Sequence, residues 1–211
     1  MRVIAIDGPA GAGKSTVARA LAARLGLVYL DTGAMYRAVT FAAMRRGIDT
    51  ADLDRVAQLA ADLSLEVGQH GVLVDGLDAT SEIRSHAVTT AVGAVAANSA
   101  VRAELVRRQR EWANQRGGGV LEGRDIGSVV FPDAELKLYL TAAPRVRAER
   151  RVAEAGGDVD EIAAAIERRD RSDKSRTDGP LVKADGSIVV DTTGLSIEQV
   201  LERIELLLEQ E

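Results

Sequence analysis

Short apolar segments rich in β-branched residues alternate along the chain with longer stretches in which apolar residues recur at helical spacing. The short segments predict buried strands at Arg2–Ile6, Val28–Leu30, Val120–Glu122, Glu135–Leu140 and Ile188–Asp191. Strands joined through helices form a parallel sheet, so the pattern predicts an α/β fold with a central parallel sheet. In such folds, binding sites gather at the carboxyl ends of the strands.

Helix boundaries are marked by residues with special backbone preferences. The first predicted helix runs from about Lys14 to Leu25 and ends at Gly26. The next is capped by Asp31 or Thr32. Further helical patterns cover Leu53–Leu63, Val88–Ala97, Val101–Trp112, the stretch from Pro144 to Gly156, a helix that begins at Asp158, and a terminal helix opened by a capping box of Ser196 and Gln199.

The region from Asp52 to Arg84 breaks this rhythm. Two short alternating segments, Leu65–Val67 and Val72–Val74, are separated and flanked by glycine residues. Such a pattern predicts a small antiparallel insertion rather than more parallel sheet. We therefore expect a core of residues 1–51 and 85–211 that carries the insertion at residues 52–84.

Composition removes several classes of function. The 211 residues include 27 basic and 32 acidic side chains, a net charge of −5, which argues against a nucleic-acid-binding surface. The chain has no cysteine, so disulfides and thiolate metal sites are excluded. No apolar run is long enough to cross a membrane, and Asp7 comes too early for a signal peptide. We expect a cytoplasmic protein with neither nucleic acid nor a membrane as partner, and with His70 and His86 at its surface.

A phosphate-binding motif directly follows the first predicted strand. The P-loop pattern is matched in full by Gly8-Pro9-Ala10-Gly11-Ala12-Gly13-Lys14-Ser15. Its glycines let backbone N–H groups turn toward phosphates, and the following helix contributes a favourable dipole. Lys14 can reach the β and γ phosphates, and Ser15 can offer its hydroxyl to Mg²⁺. The motif predicts nucleoside triphosphate binding in a three-layer P-loop NTPase fold. Because no Asn-Lys-x-Asp element for guanine is present, small kinases are the main class left.

Several arginines and aspartates are candidates to bind the molecule that accepts the phosphoryl group. Phosphoryl transfer needs cations around the transferred group. Arg124 and Asp125 follow the strand Val120–Glu122 at its carboxyl end, whereas Gly117–Gly119 precede it and predict a flexible lead-in. The other candidates are Arg37, Arg102 and the row Arg169, Asp173 and Arg176, which shares one face if its helix persists.

Each acceptor candidate has a structural alternative. Arg37 and Arg102 also suit solvated helix faces, and Asp125 suits a turn. The row at 169–176 also suits surface ion pairs. An arginine beside an aspartate matches cytosine, because guanidinium can serve the O2 and N3 acceptors while a carboxylate accepts from the N4 amine. Uracil would leave the carboxylate unpaired.

Taken together, these segments resemble the bacterial cytidylate kinases over nearly the whole chain. Two motifs are specific to that family, Asp-Thr-Gly-Ala-Met-Tyr-Arg at 31–37 and Gly-Arg-Asp-Ile-Gly at 123–127. The other matching segments, in the family's order, are Ile4–Thr16, Glu82–Arg84, Val101–Arg110, Phe131–Asp133, Arg168–Arg176 and Ile188–Gln199.

The resemblance implies ATP-dependent phosphorylation of CMP, and of dCMP, by a monomeric enzyme that uses Mg²⁺. It implies that residues Gly8–Thr16 hold ATP, that residues 52–84 form a nucleoside-monophosphate-binding domain and that residues 145–160 form a mobile lid. Lys14, Arg124 and Arg176 would be catalytic, and Ser15 would hold the metal. The resemblance assigns CMP to Thr32, Arg102 and Asp125 at the base, Arg37, Arg124 and Arg176 at the phosphate, and Arg169 and Asp173 at the pentose, with the roles of Arg102 and Arg176 exchangeable.

Two positions depart from relatives in this family. Gly93 lies where some members place a serine near the sugar, which leaves the preference between ribose and deoxyribose open. Ser15 stands where some members have glycine, and its hydroxyl favours Mg²⁺ ligation. Two other functions are compatible with the P-loop: a kinase for a different monophosphate or a hydroxylated metabolite such as shikimate, and a nucleotide-dependent switch that transfers nothing. A hydroxyl acceptor would need a general base, for which the sequence offers no clear candidate.

Overall fold

The computed structural model describes residues 1–68 and 71–208, and within them a five-stranded sheet with the strand order β2-β6-β1-β7-β8. The strands are β1 (Arg2–Asp7), β2 (Tyr29–Asp31), β6 (Gly118–Glu122), β7 (Leu136–Thr141) and β8 (Ile188–Asp191). The pairs β1–β6, β1–β7 and β7–β8 are parallel. The predicted α/β fold with a parallel sheet is confirmed.

Helices alternate with these strands as the hydrophobic pattern predicts. They are α1 (Lys14–Leu25), α2 (Thr32–Arg45), α3 (Leu53–Asp62), α4 (His86–Ala97), α5 (Ser99–Arg116), α6 (Pro144–Ala155), α7 (Val159–Lys174) and α8 (Ile197–Leu208). Asp31 caps α2 by accepting the backbone N–H of Ala34 at 2.9 Å. The capping box before α8 is present, because Ser196 and Gln199 exchange two hydrogen bonds of 2.9 and 3.2 Å.

The predicted antiparallel segments also form. A three-stranded sheet consists of β3 (Leu65–Gly68), β4 (Gly71–Val74) and β5 (Leu77–Asp78), paired antiparallel in that order. The strand β5 was not predicted, because two residues are too few to show an alternating pattern. His86 is exposed as expected, and His70 lies outside the described residues.

The main apolar core lies against the parallel sheet. Strand residues Ile4, Ile6 and Leu138 are buried in one cluster with Leu21 of α1 and Leu201 of α8. Burial of these large aliphatic side chains stabilises the sheet and fixes its register. In that register the carboxyl ends of β1, β6, β7 and β8 meet at one edge, which is the edge expected to carry the site.

The chain divides into two compact units. The P-loop unit comprises residues 1–29 and 116–211, and the second unit comprises residues 30–115. The P-loop unit holds most of the parallel sheet. The second unit holds α2 to α5 and the antiparallel sheet.

The glycines at 117–119 correct one prediction. Gly118 and Gly119 are not a flexible lead-in but the first residues of β6, opposite Arg2 and Val3 of β1. Gly118 has a φ of 129°, and a Cβ added there would lie 1.9 Å from the carbonyl oxygen of Arg2. Glycine is therefore needed for the close approach of the two strands.

We predict that Gly118→Ala lowers the free energy of unfolding by about 3 kcal/mol, because backbone strain and overpacking add. Gly117→Ala is the matched control: its φ is 72°, but a Cβ there meets no atom within 4 Å. Strain alone should cost this control about 1 kcal/mol. Urea denaturation measures both losses, and equal losses would contradict the packing role of Gly118.

Candidate active site

The predicted P-loop joins the end of β1 to the start of α1. Gly8, Gly11 and Gly13 have positive φ angles of 146°, 75° and 84°. At Gly8 a Cβ would lie 2.0 Å from the carbonyl oxygen of Leu140, so a side chain is excluded there. Gly13 immediately precedes Lys14, the first residue of α1. The loop therefore places backbone N–H groups and a helix N-terminus at the carboxyl edge of the sheet, a geometry that binds phosphate.

Carbonyl oxygens of the loop accept hydrogen bonds from neighbouring side chains. Lys14 Nζ donates to the Pro9 carbonyl at 2.8 Å. The Thr192 hydroxyl has one hydrogen to donate, and it lies 3.1 Å from the Thr141 carbonyl and 3.3 Å from the Ala12 carbonyl. In a trans peptide the N–H points opposite to the carbonyl, so the N–H of Gly13 points away from Thr192. Thr192, which follows β8, was not among the predicted site residues.

Lys14 lies in an environment that disfavours its charge in the nucleotide-free protein. Burial lowers the pKa of Lys14 to about 7, and the positive charge of Arg124 adds to that effect. The carboxylates of Glu122 and Asp7 oppose it without cancelling it. A bound phosphate would supply the missing negative charge and favour the ammonium form.

Asp7 fixes the turn that follows β6. Its two carboxylate oxygens accept the backbone N–H groups of Ile126 and Gly127, both at 2.8 Å. These residues open a π-helical turn at Ile126–Val130, directly after Arg124 and Asp125. Burial raises the pKa of Asp7 to about 6, although the two backbone hydrogen bonds lower it. Sequence reasoning missed Asp7, and its only signal was its place at the end of the strand before the P-loop.

Asp173 brings two of the predicted arginines together. It accepts a hydrogen bond of 2.8 Å from Arg124 Nε and a second bond from Arg176. Burial disfavours the Asp173 carboxylate, but the guanidinium charges of Arg124 and Arg176 hold its pKa below the usual range. The helix α7 ends at Lys174, so the condition for one helical face through Arg176, that the helix persists, is not met. Arg176 nevertheless reaches Asp173, since it is only three residues further along the chain.

A second arginine–aspartate cluster lies in the second unit. Asp31 Oδ2 accepts from Arg37 at 2.8 Å and from Arg84 at 3.3 Å. Burial disfavours the Asp31 carboxylate, but the charges of Arg37 and Arg84 keep its pKa below the usual range. A Cβ at Gly33 would lie 3.0 Å from the Arg37 guanidinium, so a side chain there would require Arg37 to shift slightly. Asp31 and Arg84 were not predicted as site residues.

Arg102 is buried within the second unit. Its guanidinium donates to the Tyr36 hydroxyl at 3.3 Å and lies 5.9 Å from the centre of that ring. Burial of Arg102 excludes the alternative of a solvated helix arginine. Arg37 is half-buried and paired with Asp31, so it is not simply solvated either.

The predicted site residues therefore fall into two groups. Asp173 pairs with both Arg124 and Arg176 within the P-loop unit. In the same unit, burial and the positive charges of Arg124 and Arg169 lower the pKa of Lys14. The same unit holds Asp125 at the start of the π-helical turn. Thr32, Arg37 and Arg102 belong to the second unit, in α2 and α5.

Ser15 is the residue that suits a metal ion. It is in the first turn of α1, beside the loop that would hold phosphates. Mg²⁺ uses few protein ligands and completes its shell with water and substrate phosphate oxygens. The described residues contain no group of three or more His, Cys, Asp or Glu side chains that could hold a metal by themselves. A hydroxyl oxygen beside the P-loop is a suitable ligand for Mg²⁺ that binds together with a nucleotide.

Comparison with known proteins points to one family. The family model for cytidylate kinase matches residues 4–210. A cytidylate kinase of Rhodococcus opacus (strain B4) is 47% identical, with 99% of this chain and 95% of that protein covered. A cytidylate kinase of Pelotomaculum thermopropionicum is 49% identical, with 95% and 93% covered. A bifunctional pantoate ligase/cytidylate kinase of a Synechococcus species is 51% identical over 99% of this chain but only 40% of that protein.

Solved structures with low sequence identity share the fold. A gluconokinase from Sinorhizobium meliloti 1021 aligns with a TM-score of 0.55 at 13% identity, covering 99% of this chain and 92% of that one. A sugar kinase from Janibacter sp. HTCC2649 aligns with a TM-score of 0.53 at 18% identity, covering 99% and 95%. These likenesses support the predicted P-loop kinase fold.

The low pKa of Lys14 predicts a pH dependence of stability. The unfolded chain binds a proton at Lys14 up to about pH 10.5, whereas the folded chain releases it near pH 7, so stability rises with pH between these values. From pH 7 to 9 the wild type should gain up to about 1.4 kcal/mol per pH unit relative to Lys14→Met.

Urea denaturation at several pH values measures this difference. Lys183→Met, a change at an exposed lysine, is the control, and its free energy of unfolding should depend on pH as that of the wild type does. If the free energy of unfolding depends on pH in the same way for the wild type and Lys14→Met, burial does not shift the titration of Lys14.

Proposed function

The chain belongs to the cytidylate kinase family, and from that premise we propose that it transfers the γ-phosphoryl group of ATP to CMP, giving CDP and ADP. The observation that carries this function is the family match over residues 4–210. It includes both the P-loop and the arginine–aspartate motifs at 31–37 and 123–127, so it covers the donor and the acceptor side of the reaction.

ATP phosphates bind along Gly8–Thr16. The positive φ angles and the N-terminus of α1 support this assignment, since both direct backbone N–H groups toward an anion. Lys14 leaves the Pro9 carbonyl and contacts the β and γ phosphates, whose charge restores its ammonium form. Its charge then stabilises the negative charge that develops on ADP as the leaving group.

Mg²⁺ is the metal proposed at Ser15. When bound, it neutralises charge on the β and γ phosphates and helps to align them. The Ser15 hydroxyl would be the ligand contributed by the P-loop. The remaining positions suit water and phosphate oxygens.

The acceptor reacts without a general base. A phosphate oxygen of CMP is already anionic, so it attacks the γ-phosphorus in line while the bond to the β–γ bridging oxygen of ATP breaks. What the protein must supply is alignment and neutralisation of charge. We assign the CMP phosphate to Arg37, Arg124 and Arg176. The carboxylates of Asp31 and Asp173 support this assignment, because they fix the directions of these guanidinium groups before CMP arrives.

The cytosine ring is assigned to Thr32, Arg102 and Asp125. All three side chains are largely buried, where an unpaired hydrogen-bonding group is costly. A carboxylate accepts from the N4 amine of cytosine, whereas the O4 of uracil would face it without a hydrogen bond. Discrimination between the two bases therefore follows from Asp125, while a guanidinium serves the acceptors O2 and N3.

The pentose is assigned to Arg169 and Asp173. Asp173 then has two tasks, since it also holds Arg124 and Arg176. At Gly93 of α4 a Cβ would meet no atom within 4 Å, so the backbone leaves room for the serine found in some relatives. With that hydroxyl missing, one sugar contact made by some relatives is absent, which leaves the preference between ribose and deoxyribose open. We propose both CMP and dCMP as acceptors.

The remaining expectations concern the setting of the reaction. We assign residues 52–84 to monophosphate binding and residues 145–160 to a lid that closes over ATP and excludes water. We expect a monomeric, cytoplasmic enzyme that acts on small nucleotides. In the described ranges no helix is both long and apolar enough to span a membrane.

A coupled ADP-release assay with CMP, dCMP, UMP, AMP, GMP and shikimate tests the function. We expect rapid turnover with CMP and dCMP, and at least about a hundredfold lower kcat/KM for the purine nucleotides and shikimate, because their polar groups do not match the site. Preference for shikimate would favour a metabolite kinase, and slow ADP release unaffected by any acceptor would favour a switch. Either result would refute the proposed reaction.

Arg124→Ala should lower kcat for CMP by about a thousandfold, because a guanidinium that neutralises the transferred group is lost. Binding of ATP, measured by calorimetry, should change little. Arg2→Ala removes an exposed arginine paired with Glu135 and should leave both quantities unchanged. A normal kcat for Arg124→Ala would remove Arg124 from the reaction.

A further inference from the structure

A buried ion pair outside the predicted site holds the tip of the P-loop. Arg147 of α6 and Asp170 of α7 are only 8% and 7% exposed, and their charged atoms are 2.5 Å apart. Both also bond to the backbone of Ala10. Its N–H donates to Asp170 Oδ1 at 3.2 Å, and its carbonyl accepts from Arg147 at 3.0 Å.

These bonds fix the orientation of two successive peptide groups. In the Pro9–Ala10 peptide the carbonyl faces Lys14, so the N–H points the opposite way, toward Asp170. In the Ala10–Gly11 peptide the carbonyl faces Arg147, so the N–H of Gly11 points away from α6. Asp170 thus does not lie on the Lys14 side of the loop, where phosphates are expected, but supports the loop from the other side.

The backbone of α6 also packs closely against the P-loop. Gly11 has a φ of 75°, and a Cβ there would lie 2.9 Å from both the Cβ and the carbonyl oxygen of Arg147. The approach therefore needs a glycine at this position. Because the helix backbone itself contacts the loop, the Arg147–Asp170 pair is part of a packed contact between α6, α7 and the loop.

We propose that Asp170 is a positioning residue for ATP: with Arg147 it holds Ala10 so that the Gly11 N–H is already directed toward the phosphates. This role rests on the proposed function in that ATP is taken as the ligand. Without the pair, the peptide groups at residues 9–11 are free to rotate, and ordering them on binding lowers the affinity for ATP. The pair also couples α6 and α7 to the loop, since each helix contributes one partner.

The first test needs no ligand. In the nucleotide-free protein, amide hydrogen exchange followed by NMR should show Ala10 protected. Asp170→Ala should accelerate that exchange at least about tenfold, because the amide loses a hydrogen bond to a charged group, and a loss of that strength changes an equilibrium by about that factor. Asp170→Asn keeps an acceptor oxygen and should retain part of the protection. Glu167→Gln breaks an exposed ion pair with Arg171 on the same helix and should leave Ala10 unchanged.

The second test separates positioning from general damage. Calorimetry should show ATP binding weakened about tenfold in Asp170→Ala and about threefold in Asp170→Asn, with KM for CMP within about twofold of the wild type. If Asp170→Ala does not fold, the Asp170→Asn values decide. Unchanged Ala10 exchange, unchanged ATP affinity, or equal weakening of ATP and CMP would overturn the role of Asp170. Ala10 exchange and ATP affinity are measured without an acceptor, so these two results stand apart from whether CMP is the acceptor.

Discussion

The orientation of a few peptide groups between β1 and α1 is the constraint on which this molecule depends. An anion can be held there only if N–H groups turn toward it, and the carbonyls of the same peptides must then be satisfied elsewhere. Lys14 and Arg147 satisfy two of those carbonyls, at Pro9 and Ala10, and the Thr192 hydroxyl lies 3.3 Å from a third, at Ala12. Arg147 and Thr192 come from distant parts of the chain, so the loop is shaped by the folded P-loop unit as well as by its own glycines.

Charge balance is the second organising feature. Arginines suited to neutralise phosphate are held by buried carboxylates, Asp31 in one unit and Asp173 in the other. A buried, unpaired charge would be strongly destabilising, so these carboxylates stabilise the nucleotide-free protein. They also fix guanidinium directions in advance, which lowers the ordering cost when a phosphate binds. Stability without ligand and preorganisation for ligand thus depend on the same contacts.

The parallel sheet places these features at one edge. The ends of β1, β6 and β8 lead into the P-loop, the turn with Arg124 and Asp125, and Thr192, respectively. Asp7 links the first two by accepting backbone N–H groups of that turn. Family membership then supplies what geometry alone does not, since proteins of low sequence identity with the same fold include a gluconokinase and a sugar kinase. The fold sets where phosphoryl chemistry takes place, and the motifs at 31–37 and 123–127 point to the acceptor.

The sequence by itself determined the α/β architecture, the P-loop and most helix ends, because hydrophobic periodicity, glycines and capping residues act over a few neighbouring positions. It also carried the family resemblance. Tertiary structure alone decided that Gly118 and Gly119 belong to a strand and that Arg176 reaches Asp173 from beyond a helix end. It also decided that Asp7, Asp31 and Asp170 accept hydrogen bonds from the turn after β6, from Arg37 and from the P-loop, respectively. These contacts join residues that are far apart in the chain or that lie at bends, and hydrophobic periodicity encodes neither. The partner of a charged side chain is fixed only when folding buries the pair and brings the two groups within hydrogen-bond distance.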